Sequence, residues 1–219
     1  MFEKQKQLLV DYGNKMIAKG LTTSTGGNIS LYIRDKGVML VTPSSVEYEN
    51  VSVEDIVEMT LDGEQLSAKH QKPSSEWRMH AQVYQVRDDV NAMFHSHAVN
   101  CAAMSTVGPL PAIDYLVAFG GSYEVPLTGY AQYGTEALAK NSTEVLKKDY
   151  YAVLLRNHGI NTIGKTLGAA FTRLELLNFC AEMYIKAKII GEPSIISKDE
   201  MLKLVDVFKE AAYGISDDE

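Results

Sequence analysis

The segment SLYIRDKGVMLV, residues 30–41, sets two strand-like runs on either side of DKG, a short polar connection that ends in glycine. A link this short returns the chain antiparallel to itself, so these two strands pair as a hairpin. IVEMTLDGEQL reads as two further strands around an Asp-Gly turn, VNAMFHSHA as a buried strand, and YYAVLLRNHGINTIG as the strand-like stretch that closes the central region. Between them lie segments of helical period. Residues 3–19 carry Leu8, Leu9, Tyr12, Met16 and Ile17 on one stripe and end at Gly20, which suits a C-cap. Residues 75–86 repeat apolar positions at three and four, with Ser74 or Ser75 as N-cap. AVNCAAMSTV, the long run LGAAFTRLELLNFCAEMYIKAKIIG and DEMLKLVDVFKEAA read as helices as well. Irregular alternation with hairpin-connected early strands predicts a layered α/β fold. Its sheet should be largely antiparallel or mixed, not doubly wound and parallel.

The chain has 219 residues, 46% of them hydrophobic, enough for one sizeable core, so residues 1–219 are expected to form a single domain. The acidic end, YGISDDE, is expected to be mobile from about residue 210. A formal net charge of -7 with scattered basic residues argues against nucleic acid as a partner and leaves room for a small anion held locally. Two isolated cysteines, Cys101 and Cys180, cannot build a disulfide framework and are expected to be free and buried. No leader pattern opens the sequence, and no window approaches the ~18 consecutive apolar residues of a membrane span. A soluble, cytoplasmic protein is the expectation.

His95 and His97 stand two apart in FHSHA, which on a strand puts both imidazoles on one face about 6–7 Å apart. That is half of a divalent metal site, although by itself such a pair is more often the mark of ordinary core or surface histidines. A zinc-like site needs a third protein ligand. His158, at the end of the apolar run in LLRNHGI and before a glycine turn, offers it. His70 lies in a charged loop and reads as solvated, and His80 on an apolar helix face reads as a packing histidine. Glu76 opens a helix, where it is either a first-turn carboxylate favoured by the helix dipole or a base beside a metal. Ser74 and Ser75 at the same helix start could hold a phosphate through hydroxyls and terminal amides. Gly26, Gly27 and Asn28 in TSTGGNIS, and Ser44 and Ser45 in TPSS, form two more turns suited to an anion.

TSTGGNIS, VTPSS, KPSSEWRMH, FHSHAVNC and LRNHG, in this order and at these separations, resemble the class II aldolase/adducin superfamily. Within it the similarity is greatest to the bacterial L-fuculose-phosphate aldolases, and it continues through PAIDYLVAFGG, YAQYGT and VFKEAAYG. The resemblance implies a three-layer α/β domain with a central, mainly antiparallel sheet covered by helices. It also implies a cyclic homotetramer with active sites at subunit interfaces.

His95, His97 and His158 match the family's metal ligands, Zn²⁺ first with Mn²⁺ or Co²⁺ possible in the same geometry. Glu76 matches the catalytic acid/base, which also approaches the metal in the free enzyme. Gly27, Asn28, Ser44, Ser45, Ser74 and Ser75 match the phosphate pocket. Tyr115 matches a tyrosine that the adjacent subunit contributes, and Tyr213 a tail tyrosine that covers the site, with Tyr133 on the same side.

The implied reaction is reversible cleavage of a ketose 1-phosphate, L-fuculose 1-phosphate or a related deoxyketose phosphate such as 5-deoxyribulose 1-phosphate. The products are dihydroxyacetone phosphate and a small aldehyde such as L-lactaldehyde. A divalent ion would act there as a Lewis acid, with Glu76 exchanging the proton at C3 and Tyr115 that of the C4 hydroxyl. Asp114, Asn100 and Tyr133 depart from the fuculose-phosphate pattern, all on the expected aldehyde side. The alternatives are a ribulose-5-phosphate 4-epimerase, a methylthioribulose-phosphate dehydratase and a non-catalytic module as in adducin. Glutamate after PSS, where the epimerases carry aspartate, favours the aldolase, and the intact set of histidines disfavours the module.

Overall fold

A computed structural model describes residues 2–211. Helix α1 (Glu3–Ala18) is followed by strands β1 (Asn28–Ile33), β2 (Val38–Val41) and β3 (Val57–Met59), then helix α2 (Trp77–Val86), strand β4 (Ala92–Ser96) and helix α3 (Val99–Val107). A short pair, β5 (Leu110–Pro111) and β6 (Glu124–Val125), brackets a 3₁₀ segment at Tyr115–Gly120. Helix α4 (Glu136–Leu146), strands β7 (Ala152–Leu155) and β8 (Gly159–Gly164), and helices α5 (Leu167–Ile190) and α6 (Lys198–Ala211) complete the order.

Six strands form one sheet in the order β3-β2-β1-β4-β8-β7, and each neighbouring pair is antiparallel. The expected β1–β2 hairpin closes through residues 34–36 and Gly37. Alternate residues of each strand serve two cores. Leu40, Phe94 and Leu154 pack with α1, α3 and α5, while Met39, Val41, Met93, Val153 and Leu155 pack with α2 and α4. Two buried faces explain why VMLV and AVLL are continuous apolar runs without polar alternation. The result is three layers, helices on both sides of a mainly antiparallel sheet, as the resemblance implies.

The side chains of Tyr12, Phe94 and Phe171 meet with ring centroids 5.2–5.7 Å apart and tie α1, β4 and α5 together. That cluster fixes the strand on which His95 lies. Gly20 closes α1 as expected: its N–H donates to Ile17 and that of Leu21 to Met16, a Schellman motif. Cys101 and Cys180 are free and buried. Among the described residues no helix is long and apolar enough to cross a membrane.

Three local expectations change. The Asp-Gly turn at 62–63 joins β3 to a single bridge residue, Gln65, not to a second full strand. The stretch 150–164 is two strands, with His158 in the tight turn between β7 and β8 and Gly159 opening β8 instead of forming a turn. Helix α4 has no counterpart in the sequence reading, although Thr135 accepts the Leu138 N–H as a side-chain N-cap.

Candidate metal centre and substrate cleft

Register builds the centre. Asn28 of β1, His95 of β4 and Asn161 of β8 are direct partners across three adjacent strands, so their side chains stand in one row. The row faces α2, because Met93, two residues before His95, packs in the core beneath α2 and α4. His97 lies just beyond the end of β4, and the turn before β8 presents His158. The three imidazoles meet with ring centroids 4.7–5.0 Å apart. Glu76, the N-cap residue of α2, brings its carboxylate to 3.3 Å from His95 Nε2 and 3.6 Å from His158 Nε2.

Hydrogen bonds orient these groups. His95 Nδ1–H donates to Asn161 Oδ1 at 2.9 Å, while the Asn161 amide donates to Ser142 Oγ at 2.8 Å. His95 Nε2 therefore keeps its lone pair, 2.9 Å from Nε2 of His97. Burial keeps all three rings neutral. It pushes His95 down to about 3, helped by neighbouring His97. His158 is pushed down to about 4, chiefly by burial and then by His95, against the opposing charge of Glu76. His97 is lowered by burial too, with Glu76 opposing.

Neutral imidazoles and a carboxylate are what a divalent cation binds. One donor atom from each of the four residues lies within 4.8 Å of the others. A tetrahedral ion with bonds near 2.0–2.1 Å needs ligand atoms roughly 3.3 Å apart, and the His95–His97, His95–Glu76 and His158–Glu76 pairs stand at 2.9, 3.3 and 3.6 Å. Glu76 Oε1 is buried without a hydrogen-bond partner, an arrangement that costs about 1–3 kcal/mol or more unless a cation or proton meets it. The four residues fit a metal ion.

Beside this centre is a cleft of about 420 Å³. The two serine segments that line it are stitched together: Ser44 N–H donates to the Lys72 carbonyl at 2.9 Å and Ser74 N–H to that of Thr42 at 3.1 Å. Gly27, Asn28, Ser44, Ser45, Ser74 and Ser75 all line the cleft, with Glu76, His97 and His158. Gly27 has φ of +73°, and a Cβ there would sit 2.5 Å from the His95 carbonyl oxygen, so no other residue fits without moving the strand. None of the lining residues is lysine or arginine.

Tyr133 lies at the rim and is exposed. Tyr115 is not brought to the cleft: it is 51% exposed and lies near Phe208 of α6, ring centroids 6.4 Å apart. Asp114 caps its segment by accepting the Leu116 N–H at 2.9 Å. Tyr213 falls outside the described residues. His70 is exposed beside Asp55, as expected of a loop histidine. His80 is completely buried, and both its ring nitrogens are hydrogen-bonded. The sequence reading missed Asn161 and Ser142 behind His95 and Thr25, Tyr130 and Asn157 in the cleft lining.

The family model described as "Class II Aldolase and Adducin N-terminal domain" matches residues 7–185. The chain belongs to the class II aldolase family. A 5-deoxy-D-ribulose 1-phosphate aldolase of Bacillus thuringiensis serovar kurstaki is 40% identical over 215 residues, covering 98% of this chain and 99% of that protein. An L-fuculose phosphate aldolase of Escherichia coli is 34% identical over 214 residues, covering 97% and 96%. A solved L-fuculose 1-phosphate aldolase structure superimposes with a TM-score of 0.89 at 38% identity, covering 93% of this chain and 95% of that one. Class II aldolases are metal-dependent lyases, and this class II aldolase has a cluster of one glutamate and three histidines that fits the metal.

Proposed function

We propose that this class II aldolase reversibly cleaves a deoxyketose 1-phosphate to dihydroxyacetone phosphate and a small aldehyde. The candidates are 5-deoxyribulose 1-phosphate first and L-fuculose 1-phosphate second. The observation that carries the reading is the position of Glu76. Its carboxylate lies 3.3 Å from His95 Nε2 and 3.6 Å from His158 Nε2, in one cluster with His97, and the same residue lines a cleft of hydroxyls and glycine. The order of the two substrates follows the 40% identical relative, which acts on 5-deoxy-D-ribulose 1-phosphate.

In this reading His95, His97 and His158, with Glu76 in the free enzyme, hold a divalent ion, Zn²⁺ by donor set, with Mn²⁺ or Co²⁺ able to use the same geometry. When bound, the ion supplies positive charge to the substrate oxygens that become negative as the C3–C4 bond breaks. The phosphate lies against Gly27, Ser44, Ser45 and Ser75 and the start of α2, where helix-terminal amides favour an anion and no cationic side chain is needed. In cleavage Tyr115 takes the C4 hydroxyl proton and Glu76 delivers a proton to C3; in synthesis Glu76 removes the C3 proton and Tyr115 returns one to the aldehyde oxygen. Tyr115 comes from a neighbouring copy in a homotetramer, and Tyr133 and Tyr213 cover the aldehyde side. The whole chain, 1–219, acts as one catalytic domain.

The test is release of dihydroxyacetone phosphate, coupled to its reduction, across a panel of ketose 1-phosphates with and without added divalent metal. Metal-dependent release from 5-deoxyribulose 1-phosphate or L-fuculose 1-phosphate is expected. No release from any member, with epimerisation of L-ribulose 5-phosphate instead, would replace this reading with the 4-epimerase.

A further inference from the structure

Glu76, His80 and Tyr84 follow one another at intervals of four along α2, and Asn28 and Ser30 alternate on the face of β1 beneath them. Their buried side chains form one line of hydrogen bonds. Asn28 Nδ2 lies 3.0 Å from Glu76 Oε2, and Asn28 Oδ1 meets His80 Nε2. On the far side His80 Nδ1 is 2.6 Å from Ser30 Oγ, which is 2.6 Å from the Tyr84 hydroxyl.

A single constraint fixes the direction of every bond. A carboxylate only accepts, so Asn28 must turn its N–H toward Glu76 and its carbonyl toward His80. That carbonyl requires an Nε2–H on His80, which leaves Nδ1 as an acceptor. Ser30 must then donate to Nδ1, and the Tyr84 hydroxyl shares its proton between Ser30 Oγ and the Ser30 carbonyl, 3.2 Å away.

We propose that His80, held as its Nε2–H tautomer by Ser30 and Tyr84, is a positioning residue that locks the Asn28 amide onto Glu76 Oε2. This makes the two carboxylate oxygens unequal. Oε2 is anchored, while Oε1, buried with no hydrogen-bond partner and 3.6 Å from His158 Nε2, is left to meet the reacting atoms. The proposal rests on the assignment of Glu76 as the proton carrier. Burial supports the neutral ring, pushing His80 down to about 3 with His95 adding to the effect. It also pushes the Tyr84 hydroxyl up, so the phenol stays a donor. Ser30 and Tyr84 are buried, so the line ends in the core and orients Glu76 without conducting protons to solvent.

The test joins a spectroscopic and a kinetic readout on the metal-loaded full chain. With ¹⁵N-histidine labelling, long-range ¹H–¹⁵N correlations at neutral pH should show His80 as the Nε2–H tautomer, with its Nδ1 shift displaced in Ser30→Ala. An Nδ1–H tautomer or an imidazolium would overturn the proposal, whatever the substrate proves to be. In kinetics, His80→Leu should lower kcat about 10- to 100-fold with KM unchanged, and His80→Gln, which retains an N–H donor, should recover most of the loss. Equal damage in both variants, or none in either, would also overturn it. If His80→Leu does not fold, Ser30→Ala and Tyr84→Phe keep the ring in place and should give smaller kcat losses at constant KM. Unchanged kcat and an unmoved Nδ1 shift in both would refute the line. If no ketose phosphate is turned over, the aldolase reading fails while the tautomer measurement still decides the positioning.

Discussion

Asn161 shows how much of the metal centre depends on residues that bind no metal. By accepting the His95 Nδ1–H it fixes the tautomer that leaves Nε2 with a lone pair, and Ser142 holds the amide in turn. Asn161→Leu removes that acceptor, and divalent metal affinity should fall about 10- to 100-fold, read by competition with a chromophoric chelator. Wild-type affinity would mean that packing alone orients the ring. His80 makes a separate prediction about pH. Folded, it stays neutral down to about pH 3, whereas unfolded it takes a proton near 6.5. Below 6.5 the unfolded chain binds a proton that the folded chain excludes, so stability falls with pH by up to about 1.4 kcal/mol per unit until about pH 3. Above 6.5 both states are neutral and the contribution is flat. Denaturant titrations should show a shallower acid slope for His80→Gln than for the parent, and parallel curves would contradict this. At this scale the histidines and Glu76 were legible because chelation and proton transfer demand their residue types. Asn161 was not, because its role comes from cross-strand register, which leaves no mark in its own neighbourhood of the sequence.

The hairpin that presents His158 is set by contact between backbones. Gly159 opens β8 where a Cβ would come within 2.2 Å of the Ser96 carbonyl oxygen and 3.4 Å of the His97 ring. Gly159→Ala must push β8 away from β4, which separates His158 from His95 and His97 together. A loss of about 1–3 kcal/mol or more is expected from the shift in denaturant midpoint at unchanged slope, with metal affinity falling alongside it. A stable variant with weakened metal binding would show that the strands adjust while the centre does not. Strands β2 and β7 were easy to read because both faces of the sheet are buried and their apolar runs are unbroken, whereas β8 carries Asn161 and Thr162 and merged with β7 in the pattern. Helix α4 was not: much of its buried side is Ala139, Ser142 and Thr143, small or polar residues that blur the 3.6-residue period. Ser142 is there to reach Asn161, so the feature that hid the helix is part of the metal centre.

For the molecule as a whole, the cleft and Tyr115 do not meet within one chain. The cleft lining lacks Tyr115, whose ring is half exposed beside Phe208, itself stacked on Phe119 at 4.6 Å. Val99 and Val107 on α3 and Phe179 on α5 are exposed too, apolar groups that a second copy would cover. The resemblance names Tyr115 and implies that the adjacent subunit contributes it, but no local pattern of residues says so, because assembly geometry is not a local property of the chain. Two inactive variants resolve the question. Glu76→Gln retains Tyr115 and Tyr115→Phe retains Glu76, so each homo-oligomer lacks one group at every site. If Tyr115 acts across an interface, mixed oligomers contain sites that take Glu76 from one variant and Tyr115 from the other. Equal mixing followed by subunit exchange should restore about a quarter of the wild-type sites, as random pairing across a closed ring predicts. If Tyr115 instead served its own chain, no site could regain both groups, and the mixture would stay as inactive as its components after full exchange.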